Sequence, residues 1–178
     1  MSLPSSHITS STASEMASDM APGQVTEHAD LLRLDLQLCF ALYSTSLAMT
    51  KVYKPMLAPL GLTYPQYLVM LLLWEQDGRT VNELGQILHL DSGTLTPLLK
   101  RLEAQGLVTR QRDAQDERRV RVSLSEQGTT LKRRAADVPA HMACKLALDG
   151  DEIGALRAQL NQLRDRLLVD QPPESPSH

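Results

Sequence analysis

Periodic apolar spacing sets in at Asp30. Leu31, Leu34, Leu38, Leu42 and then Met49 fall at three- and four-residue steps, while Leu32, Leu36, Cys39, Tyr43 and Leu47 form a second stripe. A helix apolar on two faces is buried on two sides. In a small protein one face meets its own subunit and the other meets a partner. Pro55 and Pro59 are expected to end this helix. Thr63 is a plausible N-cap for a second helix reaching about Trp74, with Pro65 in its first turn, and Asp77-Gly78 breaks it. A short helix over 81–88 follows. After His89-Leu90, Asp91 or Ser92 caps another helix running through Gln105, and Gly106 stops it.

Beyond Gly106 the period changes to two. Residues 107–112 and 120–124 alternate around the polar turn Asp113-Ala114-Gln115-Asp116-Glu117, which predicts a β-hairpin with a charged tip. Ser125 opens a long helix through Lys145, bent or interrupted near Pro139. After Asp149-Gly150 a last helix carries Leu156, Leu160, Leu163 and Leu167 on one stripe. Residues 1–29 are rich in Ser, Thr, Ala and Met without periodic apolar content, and read as a disordered tail or an over-extended translation start; 171–178 read as a second tail. The chain is thus mainly α with a small β-hairpin, arranged as a winged helix-turn-helix. Helices at 30–58 and 125–168 flank a helix-turn-helix at 79–105 and a wing at 107–124, all within one domain at 30–170.

Composition narrows the classes. Leucine dominates the apolar share, and the aromatics are Phe40, Trp74 and four tyrosines. No uninterrupted apolar run of about 18 residues exists, so no membrane span is expected. No apolar leader follows the N-terminus, so a secretory signal is not expected either. Two cysteines 105 positions apart, without CxxC or Cys/His clustering, make neither a disulfide framework nor a zinc site. The expectation is a cytoplasmic protein with both thiols reduced at rest, and with no cofactor, no metal and no membrane partner. The net charge of −3 hides an uneven distribution: residues 1–38 carry −4, 79–134 carry +4 and 149–178 carry −3. A basic middle third suits phosphate binding, although solvated charged faces are common.

The helix opening at Asp91-Ser92-Gly93-Thr94 is the candidate recognition helix. Ser92, Thr94 and Thr96 offer short hydroxyls for base edges or phosphates, and Lys100 and Arg101 suit the backbone. Leu95, Leu98, Leu99 and Leu102 supply the inward stripe; an ordinary capped amphipathic helix would show the same pattern. If the helix starts at Asp91, Pro97 removes an interior hydrogen bond at about 3 kcal/mol, which marks either a functional segment or a kinked start. The wing contributes Arg112, Asp116, Arg118 and Arg119, an exposed basic hairpin of the kind that enters a narrow minor groove. Asp116 is placed to hold the Arg118 guanidinium in an extended pose.

At this point a resemblance becomes specific. The stretch from Leu84 through Leu124 resembles the MarR family, whose members carry Asp-x-Arg in the wing, here Asp116 and Arg118. Leu38-Cys39-Phe40, Tyr43, Met49-Thr50-Lys51, Tyr53-Lys54-Pro55, Thr63-Tyr64-Pro65-Gln66-Tyr67 and Leu90 through Pro97 are similar to its organic hydroperoxide-sensing branch, OhrR. The likeness covers about 33–168. It implies an intertwined homodimer of terminal helices that represses from a palindromic operator in double-stranded DNA.

Cys39 lies in an apolar helix, where an inert buried cysteine is the usual finding. Tyr43 is one turn away on the same face. Tyr53 is fourteen residues on, about 21 Å along a straight helix, and so out of reach of its own Cys39. It could reach the Cys39 of an antiparallel partner helix, and Tyr64 could approach from the same side. The resemblance implies that Tyr53 and Tyr64 donate hydrogen bonds to the partner's cysteine. The thiolate would attack an organic hydroperoxide, in a pocket of leucines and Phe40 that favours alkyl over hydrogen peroxide. Some members carry a cysteine matching Cys144, which implies a resolving thiol and a reversible intersubunit disulfide; by itself Cys144 reads equally well as a small helix residue near His141 and Lys145. Two other functions fit the residues. One is a MarR-type repressor released by a noncovalent phenolic ligand. The other is a thiol peroxidase, although the βαβ units of thioredoxin-like enzymes are missing from the pattern.

Overall fold

A computed structural model of the protein describes residues 32–113, 116 and 118–169. The tails expected at 1–29 and 171–178 lie outside these residues, as do Leu31, Ala114, Gln115 and Glu117. The chain divides into two units, 1–48 and 49–178.

In the first unit a 3₁₀ turn at Leu34–Leu36 precedes helix α1, Leu38–Leu57. The helix starts later than the apolar spacing suggests. Arg33 clasps Asp35 with both Nε and Nη2, at 3.2 and 2.7 Å, and an α-helix would put residues two apart on different faces. Gln37 is extended, at φ −82° and ψ 117°. The two apolar stripes are also not buried by the chain itself. Leu38 is 59% exposed, and Leu34, Leu36, Phe40, Leu42, Tyr43 and Leu47 are exposed as well. Among the described residues of the first unit, no apolar side chain is buried.

In the second unit α1 continues through Pro55 instead of stopping there. The hydrogen bond lost at Pro55 falls in the last turn, and continuing the helix carries Leu57 into full burial with Met56 against the core. A 3₁₀ turn, Ala58–Leu60, holds Pro59 and ends in left-handed Gly61. Thr63 then caps α2, Tyr64–Glu75, in a reciprocal box with Gln66, as its Thr-x-x-Gln spacing dictates. A second such box, Thr80 with Glu83, opens α3, Val81–Leu88. Asp91 caps α4, Ser92–Ala104, and Gly106 stops the chain behind it at φ 71°.

The hairpin forms as β2, Val108–Arg112, and β3, Val120–Leu124, paired from Val108 opposite Leu124 to Arg112 opposite Val120. A two-residue strand, β1 at Arg79–Thr80, adds to the other edge of β3, so the order is β1-β3-β2. Two residues carry no alternation, so β1 has no signature in the sequence. The expected long helix divides into α5, Glu126–Arg134, and α6, Val138–Leu146, with Pro139 in the first turn of α6 where a missing N–H costs nothing. Helix α7 spans Gly150–Val169.

One core joins the elements from the end of α1 to the start of α6. Met70 and Leu73 of α2, Leu84 of α3, the stripe Leu95, Leu98, Leu99 and Leu102 of α4, and Leu107, Val108 and Val122 of the hairpin are all buried. Helix α5 is fastened beneath it. Trp74 donates its indole N–H to the Gly128 carbonyl at 2.9 Å, and Lys132 donates to the Trp74 carbonyl at 2.8 Å. Ser125 donates to the Gly106 carbonyl at 2.6 Å and accepts from the Gly128 N–H at 2.9 Å. A side chain at Gly128 would run into the Leu107 carbonyl, whose backbone cannot yield without moving the start of the wing. Gly128→Ala should therefore lower the unfolding free energy by about 2 kcal/mol or more, as overpacked cores do. Urea unfolding checks this, and an unchanged midpoint would contradict the close approach.

Candidate nucleic-acid interface and thiol site

Helix α4 presents its polar side because its leucines are occupied inward. Ser92, Thr94, Lys100 and Arg101 are exposed and Thr96 is half-buried. Pro97 is exposed and lies inside the helix. The Thr94 hydroxyl donates to Asp91 Oδ2 at 2.8 Å while its backbone N–H reaches Oδ1, also at 2.8 Å. Those bonds hold the Asp91 carboxyl below its ordinary value. Thr94 therefore spends its proton on the cap, and its oxygen remains an acceptor toward solvent.

The wing sorts its arginines. Arg110 is tied to Glu103 of α4, and Arg121 to Asp113, with a further bond from Arg121 to the Gly78 carbonyl at 2.8 Å. Arg112, Arg118 and Arg119 are exposed, and no ion pair engages them among the described residues. The expected Asp116–Arg118 side-chain pair is corrected. Asp116 Oδ1 accepts the Arg118 backbone N–H at 3.1 Å, and its carbonyl accepts the Arg119 N–H at 2.9 Å. The carboxylate thus shapes the turn, because a short acidic side chain two residues back reaches the amide before the guanidinium. Arg110, Arg118 and Arg119 line a cleft of about 230 Å³ with Thr80, Asn82 and Thr96, where the wing faces α4 and the start of α3. Glu83 caps α3 beside it. Its carboxyl is held low by the Thr80 N–H and hydroxyl, with Arg119 and Arg121 adding to the effect.

Cys39 and Cys144 are both free and exposed, Cys39 on α1 and Cys144 on α6. Tyr43 and Phe40 are exposed on α1. Tyr53 and Tyr64 meet with ring centroids 4.5 Å apart, and Tyr67 lies 6.0 Å from Tyr53 and edge-on to Trp74 at 6.3 Å. Burial raises the phenol pKa of all three tyrosines, with mutual repulsion adding at Tyr53 and Tyr67. Tyr67 joins this cluster although it is not among the candidate thiol partners. The signal was present, since Tyr64 and Tyr67 are three apart on one helix and share a face. Glu103 and Arg110 were also passed over, because nothing in a linear sequence pairs a helix end with a strand.

A capped helix pair followed by a basic hairpin on one core defines a winged helix-turn-helix, the reading head of a class of transcriptional regulators. The family model for the transcriptional regulator SarA/Rot matches residues 51–135. The organic hydroperoxide resistance transcriptional regulator of Bacillus subtilis is 49% identical over 138 residues, covering 78% of this chain and 94% of that protein. AbfR of Staphylococcus epidermidis, solved in its reduced form bound to DNA, is 35% identical with a TM-score of 0.66, covering 80% of this chain and 99% of that one. AbfR solved in a disulfide-formed state aligns with a TM-score of 0.53 at 36% identity, over 79% and 98% of the two chains. MarR shares the fold at a TM-score of 0.64 and 23% identity, over 77% of this chain and 95% of that one. This chain belongs to the MarR family of transcriptional regulators, in the group of organic hydroperoxide resistance regulators.

The raised phenols have a consequence for pH. The folded state favours the protonated rings, so their contribution to stability is complete below the ordinary phenol value near 10 and is lost as pH rises through the raised values. Absorbance at 295 nm should show these three rings ionising late, with unfolding following their ionisation. Ionisation of all three at the free-tyrosine value would contradict the packed cluster.

Proposed function

We propose that this chain is a homodimeric repressor that senses organic hydroperoxides by oxidation of Cys39 and then releases its operator. The observation that carries the reading is the exposure of Cys39 on an apolar helix that the chain itself leaves uncovered. Leucines on α7, including Leu156 at 47%, are left exposed as well. Helices at 30–58 and 125–168 form the dimer, with 79–105 and 107–124 as its reading heads. Each α4 lies in a major groove, where Ser92, Thr94, Thr96, Lys100 and Arg101 make contacts, and each wing brings Arg112, Arg118 and Arg119 to a minor groove, on a turn shaped by Asp116.

The Cys39 thiolate attacks the terminal oxygen of the hydroperoxide. The O–O bond breaks, the alkoxide leaves and takes up a proton as the alcohol, and Cys39 becomes a sulfenic acid. Tyr53 and Tyr64 of the partner, joined by Tyr43, stabilise the thiolate by donating hydrogen bonds. A phenol holds its proton at neutral pH, and burial raises the values of Tyr53 and Tyr64 further. The Cys144 thiolate of the other subunit then attacks the sulfenic sulfur, hydroxide leaves and takes up a proton as water, and an intersubunit disulfide forms. A cellular thiol reverses it by exchange. Support comes from the relatives: one is named for organic hydroperoxide resistance, and another is known both reduced on DNA and disulfide-formed.

Non-reducing electrophoresis with mass spectrometry after cumene hydroperoxide tests the two thiols. Wild-type protein should shift to a covalent dimer containing the Cys39–Cys144 peptide pair. Cys144→Ser should stop at a sulfenic acid on Cys39 that dimedone captures, and Cys39→Ser should show neither product. A Cys39→Ser protein that still answers peroxide would overturn the assignment.

A further inference from the structure

We infer that Glu103 and Arg110 are positioning residues that lock the wing to the recognition helix, so that both DNA-reading elements move as one head. The inference rests on the DNA-binding reading proposed above. Glu103 Oε2 accepts from Arg110 Nε at 2.8 Å and from Nη2 at 2.6 Å, and Oε1 accepts the Arg110 backbone N–H at 3.2 Å. The clamp thus grips both the side chain and the main chain of β2. It joins the last turn of α4 to the middle of the wing strand, where Arg110 stands opposite buried Val122.

Three features set this pair apart from a surface ion pair. Both partners are largely covered, with side chains 24% and 36% exposed. Arg110 follows Val108 by two positions, so it occupies the inward row of β2, where an apolar residue would pack the strand equally well. A carboxylate–guanidinium fork adds direction that an apolar contact lacks, since two parallel bonds fix both planes. Glu103 lies seven residues beyond Thr96, on the same flank of α4, and Thr96 shares the cleft with Arg110, Arg118 and Arg119. Arg110, one arm of the clamp, thus lines the same cleft as the presented Arg118 and Arg119. Its bonds also hold the Glu103 carboxyl below its ordinary value.

The alternative is that Arg110 is itself a phosphate ligand held in reserve, and salt dependence separates the two. A duplex spanning the promoter of the protein's own gene serves as probe, with reduced full-length protein. Glu103→Gln and Arg110→Lys should each weaken binding roughly tenfold with an unchanged slope of log K against log salt, because no phosphate contact is lost. Hydroxyl-radical footprints should lose the minor-groove protection of the wing and keep that of α4. Arg118→Ala, as a comparison, should reduce the slope by about 0.9 per subunit. Matching circular dichroism and thermal midpoints keep a folding defect from imitating the result. Tighter binding with a steeper slope in Glu103→Gln, or wild-type affinity and footprint in both variants, would overturn the inference alone. Failure of the wild-type protein to bind the duplex would instead remove the DNA-binding reading, and this inference with it.

Discussion

The structure turns on one stripe of four leucines. Leu95, Leu98, Leu99 and Leu102 are all buried, and burying each is worth about 2 kcal/mol, so α4 has one favourable rotation about its axis. That rotation decides everything displayed. Lys100 faces out opposite the stripe, Arg101 and Thr94 take one flank, and Thr96 and Glu103 take the flank toward the wing.

The wing and α5 inherit that arrangement through the backbone. Leu107 follows the stop at Gly106, and its carbonyl accepts from the Ser125 N–H at 3.1 Å while Gly128 passes against it. Trp74 closes the circuit by bonding the Gly128 carbonyl from α2. A shift of α5 therefore has to be shared by α2 and the root of the wing. In the proposed mechanism this is how a change in the dimer helices reaches DNA: the packed core has few intermediate arrangements, and coupling runs through elements that are bonded at both ends. The terminal helices contrast with it. Their leucines are left to solvent by the single chain, a cost that a second copy would remove.

Much of this was legible in the residues. The helices 81–88 and 92–104, the hairpin and the inward leucines of α4 follow from spacing and caps, because these elements are set by local chemistry: Thr80 with Glu83, Asp91 with Thr94, and Gly106 at positive φ. What escaped was set by partners distant in sequence or by competing local bonds. Strand β1 exists only because β3 offers an edge, and Asp77 secures the far end of that strand by accepting the Leu124 N–H at 2.8 Å. Asp116 turned to an amide instead of a guanidinium. The later start of α1 goes with an extended Gln37 and an Arg33–Asp35 clasp ahead of it, neither of which periodicity registers. The sequence named Cys39 with Tyr43, Tyr53 and Tyr64 as candidates, and the geometry joins Tyr67 to Tyr53 and Tyr64 in one phenol cluster.

The most direct test of the central claim follows one fluorescent promoter duplex by anisotropy through a redox cycle. The reduced protein should bind tightly, release the duplex on a slight excess of an alkyl hydroperoxide, and bind again after dithiothreitol. A hundredfold loss of affinity on oxidation corresponds to about 2.7 kcal/mol of difference between the two states. Tight binding that persists unchanged after stoichiometric oxidation of Cys39 would contradict the account.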